Sequence, residues 1–283
     1  GTASIIVCNH QSMLDSAVFM ALSPKTILIS NSKVSRNKVI RKIYQWNGFI
    51  TLDDKNAIND ALIKDYIAHG YSLVVFPEGK RNDRSTISRF HKGAFLLAER
   101  YGLDIQPLII HGLNVVLPRN SFQVFTGSIT VKGYERVRQD GHTTYSEMTS
   151  RVYAFYKKEY ERLAREIETA TYFAPLVEDR YCYKGVEIYR SVHKNIKRNE
   201  SFTRWIDTSE NLSAVLIKNN DHGEFALLYA LVHPSTLVTV LEEDESKRAL
   251  LTYCAKGIAD NLQVTDHVDM KEAEEAGIKI ISL

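Results

Sequence analysis

The stretch Cys8-Asn9-His10-Gln11-Ser12-Met13-Leu14-Asp15 sets a histidine and an aspartate five positions apart, directly after the apolar run 4–7. Histidine is the side chain best matched to proton transfer near neutral pH. If the chain turns into a helix after the strand, Asp15 falls about one turn beyond His10. Its carboxylate then accepts from one ring nitrogen and leaves the other free to take a proton, the orienting role of a triad aspartate without the serine. The same spacing also fits a bare helix start, with Asn9 or Ser12 as the cap and His10 a bystander. A second constellation, Val74-Val75-Phe76-Pro77-Glu78-Gly79-Lys80-Arg81-Asn82, follows another apolar run. Lys80 and Arg81, in a glycine-containing turn at a strand's carboxyl end, make a candidate anion site. Glu78 adds a carboxylate that could hold a polar head group or structure the turn. An ordinary Pro-Glu-Gly turn with solvated cations is the alternative.

Both constellations need strand exits to place them. Apolar runs at 4–7, 26–29, 72–76 and 105–110 read as buried parallel strands. Residues 56–69 put Ile58, Ala61, Leu62 and Tyr66 on one helical face, with Gly70 as the stop, and 91–102 repeat the design with Gly102. Alternating strands and helices predict an α/β fold with a mostly parallel central sheet. Residues 122–132 read as a hairpin and 145–169 as a long charged helix closing the first domain. Residues 173–180 read as a link. Beyond it, strands at 214–217 and 237–241, helices at 223–231 and 246–262, and strands at 263–267 and 278–283 predict a smaller Rossmann-like α/β domain. The expected division is 1–172, a linker or lead-in of helices at 173–213, and 214–283, the last possibly incomplete.

The 283 residues suffice for two such domains. No stretch of about 18 apolar residues supplies a membrane-spanning helix. Cys8, Cys182 and Cys254 are far apart and odd in number, which fits a reducing compartment and neither a disulfide framework nor a metal site. Cys8, His69, His91 and His111 are scattered, and we expect structural or surface roles for them. Residues 1–175 hold 23 basic against 16 acidic side chains, and the remainder 13 against 18. A basic first half suits an anionic partner: phosphate, an acidic carrier protein or an anionic membrane surface. The chain opens without a methionine and enters a strand almost at once, so we read it as a fragment cut close to its first core element.

Asn9-His10-x-x-x-x-Asp15 together with Phe76-Pro77-Glu78-Gly79-x-Arg81 resembles the glycerolipid acyltransferase family, which includes the 1-acylglycerol-3-phosphate acyltransferases. Residues 89–112, with Gln106-Pro107-Leu108, resemble the family's following blocks, and the likeness covers roughly 4–135. It implies transfer of a fatty acyl group from a thioester, acyl-coenzyme A or an acyl carrier protein, to the hydroxyl of a lysophospholipid or other mono-acylated lipid. It implies His10 as general base and Asp15 as its orienter, with no metal and no resident cofactor. Glu78, Gly79, Lys80 and Arg81, with Asn9 and Ser12, form the implied substrate-binding set. The helix amino end beyond His10 is a candidate source of oxyanion donors. The expected partners are the acyl carrier or coenzyme A thioester, a lipid acceptor and a membrane surface at its cytoplasmic face, not nucleic acid. Where the family often has an arginine in its Gly-x-Ile-Phe-Ile-x-Arg block, this chain has Asp54, followed by Lys55, after Gly48. That departure opens the acceptor to lipids without glycerol phosphate, such as an acylated amino acid. Lys33 stands in a segment where the family is often basic. The aromatic and apolar residues from Trp46 to Ile50 border the acyl path, pack the core or face a membrane.

The second half looks similar to the start of a class I methyltransferase. Glu242 ends the second strand as such a domain requires. The first turn departs from it, reading Asn219-Asn220-Asp221-His222-Gly223 with a single glycine, and Ile217 stands where an acidic strand-end residue belongs. Glycines there let a backbone approach the cofactor. The expectation is a degenerate methyltransferase-like domain that packs, docks or regulates. A non-catalytic scaffold for acyl carrier or lipid, and an active S-adenosylmethionine-dependent enzyme, are the rival readings of the chain.

Overall fold

The computed structural model describes residues 2–31, 42, 50–52, 60–82, 86–118, 123–218 and 221–282. Lys33, Trp46, Gly48, Asp54, Lys55, Ile58, Asn219 and Asn220 therefore lie outside the described residues. The chain forms two compact units, one of residues 1–124 with 128–164 and the other of 125–127 with 165–283.

The first unit is built on a sheet of six described strands: β1 (Ile5–Cys8), β2 (Thr26–Asn31), β3 (Ile50–Leu52), β4 (Ser72–Val75), β5 (Ile105–His111) and β6 (Thr130–Gly133), in the order β3-β2-β4-β1-β5-β6. All pairs are parallel except β5 with β6. Ile5, Val7, Cys8, Leu73, Val74, Ile105, Ile109 and Ile110 are buried, which is why these runs carry no polar alternation. Val7 pairs with Val75, so the carboxyl ends of β1 and β4 lie level. His10 and Glu78 each stand three residues past that pair. Ligands of open α/β sheets bind at this carboxyl edge.

The helix Gly93–Tyr101 stops at Gly102, whose φ of 61° is the left-handed conformation that ends helices. The helix Tyr145–Ile167 presents Met148, Val152, Tyr156, Tyr160 and Leu163 as one buried stripe at helical spacing. The hairpin expected at 122–132 is not formed. Among the described residues there, 130–132 pair with Ile109–His111 of β5, and 123–129 have no ladder. The exposed edge of β5 takes the segment that a local turn would have paired with itself.

The second unit has β7 (Ala214–Lys218), β8 (Leu237–Leu241), β9 (Leu262–Thr265) and β10 (Lys279–Ser282), all parallel, in the order β10-β7-β8-β9. Along this unit that order is 4-1-2-3, half of the doubly wound pattern. The helices Ala170–Tyr181, Val186–Arg198 and Glu200–Thr208 group with this sheet. The link expected at 173–180 lies inside the first of them. Thr169 caps it by accepting the Tyr172 N–H at 3.1 Å, and Phe173, Leu176, Val177 and Tyr181 are buried. That apolar stripe holds the helix although Pro175 lies within it. The helix expected over 246–262 is Glu245–Ala255, and Leu262 opens β9 instead. Gly257, at φ 78°, turns the chain between them.

Candidate active site

β1 delivers His10 and the helix Asp15–Leu22 delivers Asp15. Nδ1 of His10 lies 2.5 Å from Oδ2 of Asp15. A carboxylate only accepts, so Nδ1 carries the proton and Nε2 is the nitrogen left to take one. The same Oδ2 accepts the main-chain N–H groups of Gln11 at 2.7 Å and Ser12 at 3.0 Å. Asp15 is fully buried, whereas the His10 side chain keeps 24% of its surface exposed. The carboxylate is thus enclosed and the imidazole is partly open. Phe76 stacks on the His10 ring, centroids 4.4 Å apart and planes 19° apart, and meets Phe19 edge-on.

The turn after β4 closes on the same histidine. The His10 N–H donates to Oε1 of Glu78 at 2.9 Å, and the His10 carbonyl accepts from the Asn82 N–H at 2.8 Å. Oε2 of Glu78 accepts the Ser88 N–H at 2.8 Å. Burial raises the Glu78 carboxyl above its ordinary pKa, against the pull of the His10 and Ser88 N–H bonds. Gly79 has φ 67°, and a Cβ there would stand 3.1 Å from the His91 ring. The positive φ therefore favours glycine at this turn. Lys80 is exposed and Arg81 half-buried on this turn.

Asn9 and Ser12, expected to touch substrate, are instead buried parts of the frame. Asn9 donates to the Ile110 carbonyl and accepts the Ile110 N–H, both at 2.8 Å, so its side chain extends the β1–β5 ladder by one rung. Ser12 Oγ donates to the Leu117 carbonyl at 3.0 Å. The main-chain N–H groups of Gln11 and Ser12, between His10 and the helix Asp15–Leu22, are taken by Asp15.

Residues not singled out from the sequence hold this frame. Gln11 donates to the Tyr160 hydroxyl at 2.7 Å and accepts the Leu113 N–H at 3.3 Å. Tyr156 donates to the Val7 carbonyl at 2.6 Å and accepts the Leu108 N–H at 2.9 Å. Two tyrosines four apart on one helical stripe were the available signal for them. Burial foremost, then the Asp15 and Glu78 carboxylates, push the Cys8 thiol well above its ordinary pKa, so it is a packed group and not a nucleophile. His69 and His91 are exposed, and His111 is buried beside Tyr160. No group of three or more metal-ligating side chains occurs among the described residues.

A partly open histidine, the enclosed carboxylate on its ring and an adjacent turn carrying Lys80 and Arg81 are an arrangement suited to transfer to a hydroxyl. A family model described as Acyltransferase matches residues 1–111. The 1-acyl-sn-glycerol-3-phosphate acyltransferase of Cocos nucifera is 28% identical over 145 residues, covering 49% of this chain and 47% of that protein. The Helicobacter pylori protein of the same name is 28% identical over 169 residues, covering 57% and 71%. The crystal structure of the 1-acyl-sn-glycerophosphate acyltransferase PlsC from Thermotoga maritima shares 22% identity at a TM-score of 0.49, covering 57% of this chain and 66% of that one. The chain spans about half the length of the Cocos nucifera relative and 36% of a Brassica napus one. Residues 1–111 of this chain are an acyltransferase domain.

Proposed function

We propose that the first unit moves a fatty acyl group from a thioester, on coenzyme A or an acyl carrier protein, to the hydroxyl of a lysophospholipid or other mono-acylated lipid. The observation that carries this reading is the His10–Asp15 pair, with Nδ1 engaged at 2.5 Å on a ring that is still open. Nε2 takes the acceptor's hydroxyl proton as that oxygen attacks the thioester carbonyl. The tetrahedral intermediate collapses, the carbon–sulfur bond breaks, and the leaving thiolate takes the proton back from Nε2. An ester and a free thiol result, His10 is restored, and no acyl-enzyme is needed. The Asp15 carboxylate supports the imidazolium between the two proton transfers.

Lys80 and Arg81 favour an acceptor that carries a phosphate or another anion, as does the 1-acyl-sn-glycerol-3-phosphate for which the relatives are named. Asp54 favours an acceptor without glycerol phosphate. Peripheral action at the cytoplasmic face of a membrane agrees with the basic surplus of residues 1–175, and no helix among the described residues is long and apolar enough to cross one. The test is thiol release from an acyl thioester against a panel of acceptors in anionic vesicles, lysophosphatidate and a mono-acylated amino acid among them. One acceptor is expected to raise release well above hydrolysis, and salt to lower it. Release that no acceptor stimulates leaves the scaffold reading instead.

For the second unit, a packing or docking role is the better-supported reading. A Cβ on Gly223 would lie 2.5 Å from both methyl carbons of Leu251, so the turn's described glycine serves the approach of that leucine. The residues present do not fit S-adenosylmethionine. Calorimetric titration with it is expected to give no heat, and a saturable signal would restore the methyltransferase reading.

A further inference from the structure

The turn after β4 divides into groups that face the protein and groups that face outward. Glu78 is 3% exposed, and both of its carboxylate oxygens are occupied. Oε1 takes the His10 N–H, and Oε2 takes the Ser88 N–H and, at 3.5 Å, the Asn82 side-chain amide. Asn82 returns a main-chain bond to the His10 carbonyl, so the two main-chain polar groups of His10 are gripped from one turn. Phe76, from the same turn, covers a face of the His10 ring. The Pro77 carbonyl is itself tied to the His91 N–H at 2.7 Å, which fixes the turn from behind. A ligand that took Oε1 would displace the His10 N–H, and one that took Oε2 would displace the Ser88 N–H or the Asn82 amide. Lys80, two residues on, is exposed.

We propose that Glu78 is a positioning residue that holds the main chain of His10 in register with Asp15, not a contact for the acceptor. The inference rests on the acyl-transfer reading for its kinetic consequence but not for its geometry. Carboxylates accept at both oxygens, and bonds from N–H groups to them are the strong, charge-assisted kind. A glutamine at this position has one acceptor oxygen. One of the two N–H donors would then face an amide NH2 group, and His10 or Ser88 must move.

The test is Glu78→Gln beside the wild-type protein, each assayed for thiol release with palmitoyl-coenzyme A and the acceptor that stimulates the wild-type protein most. Glu78→Gln is expected to lower kcat about 100-fold, the effect of an ångström-scale misplacement. Its KM for the acceptor stays within about twofold. A Glu78→Gln protein with unchanged kcat, or with an acceptor KM raised about tenfold or more, overturns the proposal, because removal of uniform binding raises KM. The downfield proton resonance of His10 Nδ1, assigned by its loss in His10→Ala, is an independent readout. It is expected to shift or broaden in Glu78→Gln, and an unchanged resonance also overturns the proposal. If the Gln protein does not fold, Glu78→Asp, which retracts the carboxylate by one methylene, is read by the same criteria. Failure of the acyl-transfer reading shows separately, as a wild-type protein without acceptor-stimulated release, and leaves the resonance to decide.

Discussion

Asp15→Asn is expected to cut kcat by about 10²–10⁴-fold while leaving the loop around His10 in place. The amide oxygen can occupy the position of Oδ2 and still accept from His10 Nδ1, Gln11 N and Ser12 N, the three donors that converge there. The tautomer is thereby kept, and what is lost is the negative charge that stabilises the imidazolium once Nε2 has taken its proton. The amide NH2 then falls where Oδ1 now sits, a buried atom with no hydrogen-bond partner among the described residues. Burying an unsatisfied donor costs about 1–3 kcal/mol, so a lower unfolding midpoint should accompany the kinetic loss. Asp15→Ala should be worse folded, since it orphans two main-chain N–H groups as well. Steady-state thiol release and urea unfolding on the same samples separate the two effects. An Asp15→Asn enzyme with near wild-type kcat would remove the carboxylate from the mechanism.

Gly223→Ala should destabilise the second unit by about 2–5 kcal/mol. Two independent costs combine. The residue sits at φ 87° at the start of the helix Glu224–Val232, where an L side chain costs about 1–2 kcal/mol. The added methyl would also meet Leu251, with Cγ at 2.9 Å and both methyl carbons at 2.5 Å. Leu251 is itself 1% exposed and has little room to yield, and such overpacking costs about 1–3 kcal/mol. Leu251→Ala on its own should destabilise by leaving a cavity. The double variant should be more stable than the sum of the singles predicts, because the truncated side chain removes the clash. Chemical unfolding followed by far-ultraviolet circular dichroism measures all three. Strict additivity would mean that the glycine is required for backbone conformation alone.

The His10–Asp15 contact was legible because both residues belong to one strand-to-helix junction and five positions span it. The α/β alternation was legible for the same local reason, from continuous apolar runs and helical stripes. What could not be read locally was pairing across the chain. Glu78 meets His10 only because β1 and β4 are neighbours in register, 68 positions apart. Asn9 and Ser12 look like site residues because they flank His10. Their burial depends on β5 and the segment after it, which supply the Ile110 and Leu117 groups they bond. The link read at 173–180 lies within the helix Ala170–Tyr181, whose apolar face is buried in the second unit, a partner that the local sequence does not show.

The most direct test of the catalytic assignment is acceptor-dependent thiol release by the wild-type protein and by His10→Ala, under saturating acyl thioester and the best acceptor in anionic vesicles. A general base contributes about 10²–10⁴-fold, so the variant should release thiol at least about 100-fold more slowly while remaining folded. Equal rates for the two proteins would contradict His10 as the base and, with it, the reading of this site.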